Sequence, residues 1–449
     1  MTPTTPRSRC RPLVPMALLM AVQLSAQTPP VQTPPVQSPP SQPPSTQRRQ
    51  LAAGGSEFAA VFARADVRAA LTRLDSLAPD MAAGLVTLGA IESPSGNEGE
   101  RAGAVARRMR AIGLADVRID SIHNVTGRIP GRSGRAVVFV STLDDLGSIP
   151  ALQRAAGRPP RIEGNRVVGP GTNTSSTTEA MLAAAQVLLA RGVRPEHDLV
   201  FAAVAQEETG LLGMKALYTE RRATAVSFVD ILGDGSSITY GALGIHWSRV
   251  MARGPGGHSL TGGLPNVNQA IARSVDRILS LPQPAAADNP QRTILNVAVL
   301  RSGELFNHKP DTGWFSLDVR SLDAGVIASN EAAVRRILTD VSRETGIALD
   351  MHPVQRTPGG QIAGADTSRL VRASAAIAVT LGLSPRLGNA GSANMNVPIA
   401  GGTPAIGIGG ERGGRRGYAD EWADIPAMVR TAKHVLLLGV LLGDRPPRG

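Results

Sequence analysis

Two rhythms run along this 449-residue chain, and the second interrupts the first. Glu98 to Ile112 has helical periodicity, Ala136 to Ser141 is a continuous β-branched and apolar run, Ser176 to Ala190 is helical again, and Leu199 to Ala205 is another buried strand. Strand and helix in turn predict an α/β fold, a mostly parallel sheet covered by helices on both faces. Ser176, with Glu179 three residues on, predicts a capping box that opens its helix. Near Ala242 the pattern changes. Ile245 to Arg253 alternates like a strand, Asn266 to Leu281 reads as an amphipathic helix, and Thr293 to Arg301 and Trp314 to Arg320 read as strands. Asn330 to Thr345 is then helical and Ile347 to Pro353 a last strand, which completes a β-α-β-β-α-β order, the ferredoxin-like split motif. Beyond it the first rhythm resumes, with a helix from Ser368 to Leu381, an apolar strand at Pro404 to Ile408 and a final helix from Ile425 to Leu442. One compact domain is therefore expected inside another: residues 56–241 and 355–449 build the α/β domain, and residues 242–354 are inserted into it.

The N-terminus has its own logic. Arg7, Arg9 and Arg11 precede a short apolar core from Leu13 to Ala21, and Leu24-Ser25-Ala26 offers a small-residue cleavage site. Residues 1–26 are thus expected to be a signal peptide, and the protein to be exported, periplasmic or secreted. The only cysteine, Cys10, would leave with that peptide, so no disulfide or thiol chemistry is expected in the mature protein. Residues 27–55 repeat a Thr/Ser-Pro-Pro theme that buries nothing and reads as a polyproline-type linker. No later stretch reaches the roughly 18 apolar residues of a membrane span.

A formal charge of +11 raises the question of nucleic acid. The charge is nearly all arginine scattered along the chain, and aromatic residues make up only 3%. A nucleic-acid binder needs a basic stripe with stacking aromatics, so this partner class is excluded.

Functional groups of an open parallel sheet gather just beyond the carboxyl ends of its strands. Asp144 and Asp145 follow the strand ending at Ser141, Glu207 and Glu208 follow the one ending near Ala205, and Asp230 and Asp234 follow the apolar Val226 to Val229. Three carboxylate groups at three strand ends mark a candidate site.

These segments resemble the di-zinc exopeptidase and aminoacylase family, the group of acetylornithine deacetylase, succinyl-diaminopimelate desuccinylase and carboxypeptidase G. The resemblance spans roughly residues 80–440 and rests on Gln206-Glu207-Glu208-Thr209-Gly210 and Gly254-Pro255-Gly256-Gly257-His258-Ser259. Asn307 with Pro310-Asp311, Asp318-Val319-Arg320 and Asp420-Glu421-Trp422 extend it. It implies peptide or N-acyl amino-acid amide substrates, two zinc ions sharing a bridging aspartate, and a homodimer paired through the inserted domain. By position it makes Glu207 the general base, Glu208 a ligand of the second metal, and Asp230, or its rival Asp234, a ligand of the first. Asp144 takes the place of the residue that orients the first histidine, and His258 that of the histidine reaching the partner's site. Asn307 and Arg320 are implied substrate-binding residues.

The departures fall on the metal ligands. The first histidine's place is held by Thr142, the bridging aspartate's by Asn173 and the last histidine's by Gly417, and the family's Thr-Asp-Ala-Asn becomes Ala393-Asn394-Met395-Asn396. Zinc wants imidazole, thiolate or carboxylate donors, so the resemblance implies a zinc centre that these residues would hold weakly or not at all. Without a cation the remaining carboxylates would repel one another, and Arg415 or Arg416 is a candidate for the compensating charge. Three readings stay open here: a degenerate relative that binds a peptide-like ligand or an active partner, a hydrolase with a single or altered metal, and a cell-envelope interaction module.

Overall fold

A computed structural model describes residues 58–283 and 293–443. The expected signal peptide and linker lie outside these residues.

The strand Ala136–Thr142 sits in the middle of an eight-stranded sheet. Its side chains divide cleanly: Val137 and Phe139 join one buried apolar cluster, and Val138 and Val140 join another on the opposite face. A strand buried on both sides is apolar on both faces, which explains the unbroken run from Ala136 to Val140. Asp198–Val204 and Ala225–Ile231 flank it in parallel, and Ala405–Gly409 continues in parallel beyond Ala225–Ile231. Antiparallel strands, Ala115–Ile119 and Val125–Ile129, close one edge, while Ser237–Thr239 and Arg386–Gly388 close the other. The expected mostly parallel sheet with helices on both faces is what forms. The larger cluster lies under helices that include Ala78–Gly89, Gly99–Ile112, Thr172–Ala190 and Ile425–Gly443. This last helix is long and apolar enough to cross a membrane by length and composition, yet it is largely buried and packs along Thr172–Ala190.

The inserted block is an antiparallel sheet in the order Thr293–Asn296, Thr312–Ser321, Gly244–Arg253, Ala348–Thr357. Alternate residues Phe315, Leu317 and Val319 turn inward beneath the helices Val267–Leu279 and Ala324–Thr345 and form a third core. The ferredoxin-like order expected from the sequence is present, running from Gly244 to Thr357. A short pairing of Gly241–Ala242 with Gly360–Gln361 ties together the two chain crossings.

Two local expectations change. The strand foreseen at Thr293 to Arg301 is two pieces, Thr293–Asn296 and Leu300–Ser302, because the Ser316 hydroxyl accepts the backbone N–H groups of Ala298 and Val299 in between. The helix foreseen from Ser176 begins four residues earlier, at Thr172. Ser176 lies inside it and donates its hydroxyl to the Asn173 carbonyl, so there is no capping box.

Candidate functional site

The four parallel strands Asp198–Val204, Ala136–Thr142, Ala225–Ile231 and Ala405–Gly409 lie side by side, and their carboxyl ends deliver Glu207 and Glu208, Asp144, Asp230 and Arg412 to one region. Gln206 takes a left-handed φ of 54° at the end of its strand, a strained turn that redirects the chain just before the two glutamates. The turn is held by Asp144, whose carboxylate accepts the backbone N–H groups of Glu207 at 2.9 Å and Glu208 at 3.1 Å. The Ser95 hydroxyl donates to the same carboxylate at 2.5 Å. Asp144 therefore orients the Glu-Glu turn; burial pushes its carboxyl up, against the pull of these hydrogen bonds.

The glutamates differ. Glu207 is pushed up to about 8, first by burial and then by the charges of Glu208, Asp144 and Asp230. Glu208 is raised by burial but opposed by Arg416, whose Nη2 lies 2.9 Å from its Oε1. Arg415 turns elsewhere, to Asp420 at 3.1 Å and over the Tyr418 ring. Of the two candidates for compensating charge, only Arg416 meets a glutamate of the pair.

Asp230 is fully buried and pushed up to about 7 by that burial. It accepts the Met395 N–H at 3.0 Å and the Asn394 amide at 3.5 Å, and the same Asn394 amide donates to the Thr142 hydroxyl at 3.0 Å. Thr142 and Asp230 are thus joined by a neutral amide. Asp234 has a different job: it accepts Ser236 N–H, Glu411 N–H and the Arg430 guanidinium, and so anchors the terminal helix. Asp230 is the one whose charge acts on Glu207.

Asn173 and Gly417 meet through Glu421. One carboxylate oxygen accepts the N–H groups of Gly171 at 3.1 Å and Asn173 at 3.0 Å, and the other accepts that of Gly417 at 2.8 Å. Gly417 has φ 86°, which a side chain there would strain. The Asn173 Oδ1 is buried without a hydrogen-bond partner.

Arg412 completes the site and was not singled out from the sequence. It is partly buried, and burial together with Arg416 pulls its guanidinium down to about 10, while Glu421, Glu207 and Glu208 hold it up. It remains charged at neutral pH. The signal that could have found it was available: it follows a strand of the parallel set by three residues, where the strand-end rule places functional groups.

In the inserted domain, pairing of Gly257–His258 with His308–Lys309 brings the Asn307 amide within 3.2 Å of the His258 Nε2. Arg320 is apart from this pair; it binds Asp318 at 2.9 Å and approaches the Trp247 ring. No hydrogen bond or ion pair among the described residues links His258, Asn307 or Arg320 to the strand-end carboxylates.

The donor set does not fit a pair of zinc ions. Thr142 offers a hydroxyl, Asn173 an amide and Gly417 no side chain, while Glu208 and Asp230 are engaged by Arg416 and Asn394. Among the described residues no group of three or more His, Cys, Asp or Glu is placed to hold a metal ion.

The family model described as peptidase family M28 matches residues 124–248, the stretch that carries Thr142, Asn173, the two glutamates and Asp230. The fold is similar to that of the aminopeptidase PepT from Bacillus cereus, with 20% identity, 80% of this chain and 97% of that one covered, and a TM-score of 0.68. It is also similar to the Bacillus subtilis YxeP protein, a dinuclear metal binding peptidase from the M20 family, at 13% identity, 84% and 99% coverage and a TM-score of 0.60. The di-peptidase Dug1p from Saccharomyces cerevisiae aligns at 14% identity over 83% and 97%, with a TM-score of 0.61. No curated protein matches the chain. The fold and the matched stretch agree with the resemblance to the di-zinc exopeptidases and aminoacylases.

Proposed function

We propose that this chain, built on the fold of the dinuclear metallopeptidases, uses its cleft to bind a peptide-like or N-acyl amino-acid ligand with little or no metal-dependent hydrolysis. The observation that carries this reading is the Arg416–Glu208 pair at 2.9 Å, which commits a retained ligand-position carboxylate to a guanidinium. Asp230, the other retained carboxylate, supports it: it is buried, and its oxygens already accept the Met395 N–H and the Asn394 amide. Arg412 and Arg416 supply positive charge among the carboxylates, which is what a site stable without cations requires. The chain is exported by its N-terminal segment, periplasmic or secreted, and two copies pair through the inserted domain, whose exposed His258 and Asn307 serve the partner's cleft.

One observation favours a second reading, an altered hydrolase. Glu207, raised to about 8, is suited to exchange a proton near neutral pH and could act as a base alone or beside one metal held by Glu208 and Asp230. Dipeptides and N-acyl amino acids, assayed with and without added zinc, separate the two. The binding reading expects turnover indistinguishable from that of Glu207→Gln; turnover abolished by this substitution and by chelators establishes the hydrolase instead.

A further inference from the structure

A cavity of about 510 Å³ opens on the small antiparallel sheet formed by Arg161–Glu163, Arg166–Val168, Gly413–Gly414 and Trp422–Asp424. Arg166, Trp422, Arg415, Asp420 and Glu163 line it. Two of its lining residues connect it to the cleft: Arg415 precedes Arg416, the partner of Glu208, and the Trp422 carbonyl accepts the Asn173 amide at 3.4 Å.

The charges in this cavity are unequally committed. Arg415 pairs with Asp420, and Glu163 pairs with Arg161. Arg166 pairs with no carboxylate among the described residues; its guanidinium carbon lies 3.8 Å above the centre of the Trp422 ring. The indole is supported by Gly414, where a Cβ would come within 2.9 Å of the ring. Gly414, Trp422 and Arg166 therefore form a stack that requires glycine at its base. A guanidinium held by its face keeps its in-plane N–H donors free, the arrangement that bonds a carboxylate through two parallel hydrogen bonds.

We propose that this cavity is a subsite for a carboxylate of the ligand, with Arg166 as its binding residue and Trp422 as the platform that orients it. The proposal rests on the peptide-binding reading of the adjoining cleft. It gives the free carboxylate that such ligands carry a binding residue of its own, Arg166.

The test uses the full chain carrying Trp247→Phe and Trp314→Phe, which leaves Trp422 as the only indole of the three. The probes are N-acetyl-alanyl-alanine, its C-terminal amide and inorganic phosphate. The acid is expected to change Trp422 emission and to bind about tenfold or more tightly than the amide. Arg166→Gln should erase that preference and Arg166→Lys restore only part of it. Arg166 is exposed at the surface, so neither substitution threatens folding. Equal binding of acid and amide, unaltered by Arg166→Gln, overturns the subsite and leaves the functional reading intact. Binding of phosphate alone, or of no probe, overturns the subsite as well. Arg166-dependent binding accompanied by zinc-dependent cleavage of the peptide keeps the subsite and removes the non-hydrolytic reading.

Discussion

Glu179 is a carboxyl group almost wholly buried in the helix Thr172–Ala190, and among the described residues its one ion pair is with Arg108 at 3.2 Å. Burial outweighs that partner and pushes the carboxyl up to about 7. Between the ordinary glutamate range near 4.5 and this value, the folded chain binds more protons than the unfolded one. Stability from this group is therefore greatest at low pH and falls as pH rises through that window, by up to about 1.4 kcal/mol per pH unit. Glu179→Gln should flatten the dependence and raise the unfolding midpoint at pH 8, by about 2–3 kcal/mol of stability, with little change at pH 4.5. Denaturant titrations at the two pH values check it; an identical pH slope in the variant contradicts the assignment.

At the scale of elements, the helix Thr172–Ala190 shows why a local signal can mislead. The spacing of Ser176 and Glu179 has the form of a capping box, but both side chains sit within the helix. The N–H groups of Gly171 and Asn173 at its start are instead satisfied by Glu421, 250 residues away from Gly171, and no local pattern can announce a cap supplied from such a distance. A carboxylate there also complements the helix dipole. Glu421→Ala should cost about 3 kcal/mol and speed hydrogen exchange at Gly171, Asn173 and Gly417, leaving the middle of the helix unchanged. Unaltered exchange at these three amides contradicts the cap. The strands were more legible, because apolar runs buried on both faces and the inward alternation of Phe315, Leu317 and Val319 follow directly from the period of a strand. The break at Ala298 and Val299 was not, since it depends on a cross-strand hydroxyl from Ser316. In the site, the strand-end carboxylates, and Arg412 three residues past its strand, could be found from sequence, whereas the Asn394 link between Thr142 and Asp230 emerges only when distant loops converge.

For the molecule as a whole, scaffold and site have separate requirements. The sheet, its two apolar faces and the inserted domain depend on packing, and they persist at 13–20% identity to the peptidase structures. A metal centre depends on a few donor atoms, and substitution of those atoms leaves the packing unaffected. On the proposed ligand-binding reading, a hydroxyl, an amide and a glycine stand at three such places, while the Arg416 guanidinium and the Asn394 amide engage Glu208 and Asp230. The same reading has arginine balance the charge that cations would otherwise balance. Zinc content is the most direct test of this account. The full chain is dialysed against excess zinc, freed of loose metal by gel filtration and assayed by elemental mass spectrometry. The account predicts far less than one zinc per chain; a firmly held pair of zinc ions in every molecule contradicts it.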